Sequence, residues 1–64
     1  MPKITIKAAR VNAGLTQRQA AKRLGIAYQT LSNYESGASI PRVDMLEKMS
    51  KLYCIDKQYI FLKK

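Results

Sequence analysis

The chain of 64 residues lacks the side chains from which most active sites and metal centres are built. It contains no histidine, one cysteine and four carboxylates, so it supplies neither a nucleophile–base arrangement nor a set of metal ligands. We therefore expect no enzymatic activity, with no catalytic residue, no bound metal and no cofactor. The sequence gives no sign of a small-molecule substrate either.

Long apolar runs are also absent. No run exceeds four residues, as in Tyr59–Leu62, which is far too short to cross a membrane. The first residues, MPKITIK, lack the apolar core of a secretory signal. The single cysteine, Cys54, cannot form an internal disulfide and fits a reducing cytosol. Its neighbours Tyr53 and Ile55 favour a buried small hydrophobe over a reactive thiol. We expect a cytoplasmic protein.

The composition that remains is typical of one small globular domain. Apolar residues make up 47% of the chain, and its length is near the lower limit for a self-sufficient core. No repeat, linker or low-complexity segment divides the sequence. We predict a single domain over residues 1–64.

The chain carries a formal charge of +8, and its first 34 positions contain no acidic residue. That segment holds six bases, namely Lys3, Lys7, Arg10, Arg18, Lys22 and Arg23. The rest of the chain has six bases and four acids. This asymmetry favours a polyanionic partner contacted mainly by the N-terminal half. The alternative is a solvated basic face that only keeps a small protein in solution.

Three glycines, Gly14, Gly25 and Gly37, each follow a segment with helical periodicity. The predicted helices are about Ile4–Ala13, Gln17–Leu24, Tyr28–Ser36, Val43–Leu52 and a short fifth helix capped by Asp56. Helix one should bury Ile6, Ala9, the stem of Arg10 and Ala13. The sequence therefore predicts an all-α protein, a compact bundle of five short helices with no strand.

The second and third helices are joined by a tight turn at Gly25. Thr16 and Gln19 have the spacing of a capping box at the start of helix two. The outward side chains of helix three, none of them ionised, are Tyr28, Gln29, Ser32 and Asn33. An α-helix fits the major groove of DNA, where glutamine and asparagine pair with adenine. We predict base contacts from these four side chains. The alternative is a solvated helix surface and, for Tyr28, packing at the turn.

The same segments resemble the Cro/cI-type (Xre) helix-turn-helix family of phage and bacterial regulators. The matching pieces are Gly14–Gln17, Ala20–Ile26, Thr30–Gly37 and Pro41. They occur in the family's order and at the family's spacing. The resemblance implies a lambda-repressor-like DNA-binding domain, and in that family the residue at Gln17 clamps a phosphate. It also implies a structural ion pair between Arg10 and Glu35.

Cations near the predicted interface are expected to add phosphate contacts, from Arg18, Lys22 and Arg42. The leading hypothesis is a sequence-specific repressor or regulator that binds a two-fold operator in double-stranded DNA. It would act as a homodimer, formed through the helix-five region near Tyr59–Leu62. The alternative is a protein-interaction module, such as an antitoxin or adaptor, that uses the same fold.

Overall fold

The computed structural model describes residues 3–61, which contain four α-helices. Their bounds are α1 Ile6–Asn12, α2 Gln17–Leu24, α3 Tyr28–Ser36 and α4 Val43–Tyr53. Two short strands, β1 Ile4–Thr5 and β2 Ile60–Phe61, pair in parallel with Ile4 opposite Ile60. Leu62 and the side chain of Phe61, both part of the apolar run considered for dimer contact, lie outside the described residues. No helix within 3–61 is long and apolar enough to span a membrane.

The prediction of five helices and no strand is wrong at both ends of the chain. Thr5 is extended, and its side chain accepts a hydrogen bond from the Ala8 amide at 3.0 Å, so α1 begins only at Ile6. Asp56 does cap the last segment, by accepting from the Gln58 amide at 3.1 Å. Only a three-residue 3-10 turn follows, because the chain then extends to pair with β1. The β-branched residues in these strands favour that extended backbone.

In the helix-turn-helix unit, the ends of α2 and α3 are determined by residues close to each end. At the start of α2, Thr16 accepts from the Gln19 amide at 3.1 Å and the Gln19 side chain accepts from the Thr16 amide at 2.9 Å. Gly25 ends α2 with a φ of +73°, in the left-handed region that glycine occupies without steric cost. Ala27 provides no side-chain cap for α3, which ends at Gly37.

The core lies where the four helices meet the short sheet. Leu31 of α3 and Met49 of α4 are its largest fully buried side chains. Around them pack Ile6, Ala9, Ala20, Ala21, Leu24, Tyr53 and Ile60. α3 is thus fixed from behind by Leu31, and its opposite side faces outward.

Two burial predictions are wrong. Ala13 is exposed, because α1 ends at Asn12 and the chain turns away there. Cys54 is also exposed. It forms the C-cap of α4 with a φ of +56°. The residues three and seven positions before it on α4, Lys51 and Glu47, are exposed as well, so Cys54 lies on the solvent side of this helix.

Tyr53 gives the fold a pH dependence in the alkaline range. Its hydroxyl is buried without a hydrogen-bond partner among the described residues. Burial, and then the negative charge of Glu35, raise the pKa of Tyr53 to about 12, while Arg10 opposes the shift. The folded state therefore holds this proton more tightly than the unfolded state does. Its contribution is complete below pH 10, and we expect a loss of about 2 kcal/mol as the pH rises from 10 towards 12.

Urea unfolding of the parent and of Tyr53→Phe at pH 7 and between pH 10 and 12 tests this. Because the hydroxyl has no hydrogen-bond partner within residues 3–61, Tyr53→Phe should cost little at pH 7. All other groups are common to the two proteins, so the difference between their profiles isolates the Tyr53 phenol. Parallel alkaline losses in parent and variant would contradict the assignment.

Candidate nucleic-acid interface

The outward side of α3 carries Tyr28, Gln29, Ser32 and Asn33, hereafter the reading face. Tyr28 and Gln29 are exposed, and Ser32 and Asn33 are half-buried. Leu31 points the opposite way into the core, so the helix presents these four side chains while it is held from behind. None of the four is an acidic or basic residue, so the surface offers neutral hydrogen-bond donors and acceptors.

Two side chains of the reading face are joined to each other. Gln29 Nε2 donates to Asn33 Oδ1 at 3.1 Å, across one turn of the helix. The bond uses one of the two N–H groups of Gln29 and one acceptor site of Asn33. Gln29 retains its carbonyl oxygen and a second N–H, which is the pair that matches N6 and N7 of adenine.

Tyr28 is held by a residue of the preceding helix. The guanidinium carbon of Arg18 lies 5.2 Å from the centroid of the Tyr28 ring, within the range of a cation–π interaction. Tyr28 is 46% exposed, so it lies on the surface and is not buried in the turn. Arg18 thus contacts the reading face at its N-terminal end, through Tyr28.

A buried charge network ties α1 and α2 to α3. Arg10 Nε donates to Glu35 Oε2 at 2.7 Å, and Arg10 Nη2 donates to Oε1 at 3.3 Å. Gln17 Nε2 also donates to Glu35 Oε1, at 2.9 Å, and Arg10 Nη1 donates to the Leu15 carbonyl at 2.7 Å. The Glu35 side chain is only 4% exposed. The structure thus brings together Arg10 and Glu35, as the resemblance implied, and adds Gln17 to them.

Exposed cations lie on the elements before and after α3, and two of them, Arg18 and Arg42, lie next to the reading face. Arg18 and Lys22 are exposed on α2, and Arg42 is exposed at the N-cap of α4. Arg42 lines a shallow cleft together with Asn33. All eight candidates for DNA contact therefore lie on α2, on α3 or at the N-cap of α4. Gln17, the first residue of α2, also donates to Glu35.

Comparison with known proteins assigns the chain to a family that has this helix-turn-helix arrangement. A family model described as Helix-turn-helix matches residues 6–60. The chain belongs to the helix-turn-helix family. It is also similar to the HTH-type transcriptional regulator ImmR of Bacillus subtilis (strain 168), with 44% identity over 55 residues. That alignment covers 86% of this chain and 43% of the relative. The Cro/cI-type resemblance is confirmed.

One residue of the basic N-terminal segment was not among the predicted DNA contacts of this helix-turn-helix domain. Lys7 on α1 lines the same cleft as Gln17, Arg18 and Tyr28. Its signal was its position three residues before Arg10, which places both on neighbouring positions of one helix. Within residues 3–61 no group of three histidine, cysteine or acidic residues is placed to hold a metal ion. Helix-turn-helix regulators as a family are generally not enzymes.

Proposed function

We propose that this chain is the DNA-binding domain of a transcription regulator that reads double-stranded DNA in the major groove with α3. The observation that carries the proposal is the reading face itself, a surface of neutral amide and hydroxyl groups flanked by Arg18 and Arg42. Surfaces of this kind suit a groove whose floor offers hydrogen-bonding base edges and whose walls are phosphates. The chain spans less than half the length of the Bacillus subtilis regulator that it matches. The role in transcription regulation that we assign to the whole protein is therefore part of what we propose.

The proposed contacts divide into two classes. Tyr28, Gln29, Ser32 and Asn33 contact bases. Gln17, Arg18, Lys22 and Arg42 contact phosphates, which supply most of the affinity and fix the register of the helix. Lys7 joins the second class because it shares the cleft of Arg18.

The functional unit we propose is a homodimer on a two-fold operator, acting in the cytoplasm as a repressor. A single nine-residue α3 spans only a few base pairs, so two copies are needed for a long recognition site. The segment Asp56–Phe61, which replaces the expected fifth helix, is the proposed dimer contact. Catalysis has no part in this function.

Selection of bound sites from a random duplex pool tests the proposal. We expect half-sites that contain at least one A·T pair and are related by a two-fold axis, with centres about 34 Å apart. Gln29→Ala should change the selected sequence, whereas Asn12→Ala should not. Asn12 is an exposed amide at the end of α1, beside the last turn of α4. Failure to enrich any sequence would contradict the proposal and favour a protein partner.

A further inference from the structure

The two residues joined by the hydrogen bond within the reading face differ in their exposure. Gln29 is exposed, while Asn33 is half-buried and lines the cleft between α3 and the following loop. The backbone at Asn33 is anchored as well, since its carbonyl accepts from Ser36 Oγ and from the Ser39 amide, each at 3.2 Å. Asn33 is therefore the fixed member of the pair and Gln29 the accessible one.

The bond also fixes which way the Gln29 amide points. A free glutamine amide rotates about its last torsion and presents its oxygen and nitrogen in either order. Donation to Asn33 Oδ1 at 3.1 Å selects the order with Nε2 towards Asn33. The carbonyl oxygen and the second N–H of Gln29 then remain for a base in one orientation. An adenine presents the complementary pattern, an N6 donor beside an N7 acceptor.

We infer that Gln29 reads one adenine and that Asn33 acts on the same base pair as a positioning residue, by orienting the Gln29 amide before DNA arrives. The inference rests on the proposed function and refines it, because Gln29 and Asn33 then form one recognition unit. Ordering a side chain in its bound conformation lowers the entropic cost of binding. This role replaces the separate base contact proposed above for Asn33. Specificity at that A·T pair is shared by two residues, of which only Gln29 touches the base.

A double-mutant cycle on DNA discrimination tests this. The parent, Gln29→Ala, Asn33→Ala and the double variant are titrated with the selected operator and with duplexes in which each A·T pair is replaced in turn. We expect Gln29→Ala to lower discrimination at one pair by about 10-fold or more. Asn33→Ala should lower discrimination at that same pair by about 3–10-fold, and the double variant should be no worse than Gln29→Ala.

Asn33→Asp separates positioning from a merely structural role. Aspartate keeps an oxygen that accepts from Gln29 Nε2, but it loses the amide donors and adds a negative charge. The charge weakens binding to every duplex alike, so the ratio between duplexes is the readout. We expect Asn33→Asp to restore discrimination at the Gln29 pair to within about 2-fold of the parent. Thermal melts and Asn12→Ala serve as folding and surface controls.

The possible outcomes are distinct. Loss of discrimination at two different pairs by the two single variants, with additive effects, would overturn the inference and leave the proposed function standing. Discrimination by Asn33→Asp as poor as that of Asn33→Ala would overturn it as well. A parent that binds all duplexes equally would overturn the proposed function together with the inference.

Discussion

Raising the salt concentration from 50 to 200 mM is expected to weaken the binding of duplex DNA by about 10³–10⁵-fold. This range applies if the proposed dimer neutralises roughly 6–10 phosphates, each of which releases condensed counterions. The charge distribution of the chain supports contacts with this many phosphates. No acid occurs before Glu35, and that carboxylate is buried against Arg10. The exposed cations Arg18 and Lys22 therefore meet no local negative charge from the N-terminal half.

Fluorescence anisotropy with a labelled operator at several salt concentrations measures this effect. Lys22→Ala should reduce the slope of log affinity against log salt by about one for each subunit that loses a phosphate contact. Lys48→Ala is the matched control, because Lys48 is also exposed but lies on α4, outside the proposed interface. A flat profile for the parent, or equal slope changes in both variants, would contradict the assigned interface.

Glu35→Gln is expected to lower the free energy of unfolding by about 3 kcal/mol. The carboxylate accepts from Arg10 and from Gln17, and the Arg10 and Glu35 side chains are 9% and 4% exposed. Removing one member of such a pair leaves the other charge buried without compensation, at a typical cost of about 3–5 kcal/mol. The amide still offers one acceptor, which places our expectation at the lower end. Urea unfolding at pH 7 gives the number.

The chain contains a matched control for that substitution. Glu47 pairs with Lys57 at 3.2 Å, but both side chains are about half exposed, so Glu47→Gln should cost no more than about 1 kcal/mol. Asn33→Ala, on the opposite side of α3, should leave stability nearly unchanged. Losses of similar size in all three variants would mean that Glu35 does not act as a buried tie between α1 and α3.

The helix-turn-helix unit could be predicted from the sequence because its determinants are local. Thr16 and Gln19 cap α2 from three residues apart, and Gly25 ends that helix directly. The pairing of Ile4 with Ile60 could not be predicted in the same way. It joins residues from opposite ends of the chain, and no local pattern distinguishes a two-residue strand from the fraying end of a helix.

In the candidate interface, too, the features that are local in the sequence could be predicted and those that depend on packing could not. Helical periodicity placed Gln29 and Asn33 on one face, because residues four apart are neighbours on any α-helix. Periodicity does not reveal contacts between helices. The position of Arg18 over Tyr28 and the place of Lys7 beside them depend on how α1, α2 and α3 pack. The left-handed conformation of Cys54 likewise could not be predicted from its apolar neighbours Tyr53 and Ile55.

Side-chain amide resonances recorded during a titration with the selected duplex test most directly whether α3 reads DNA. The protein carries its own reference, since Asn12 is an exposed amide at the end of α1 and outside the proposed interface. We expect the NH2 signals of Gln29 and Asn33 to shift and to exchange more slowly with water on binding, while those of Asn12 stay unchanged. Binding that shifts Asn12 and leaves Gln29 and Asn33 as they are in the free protein would contradict the account.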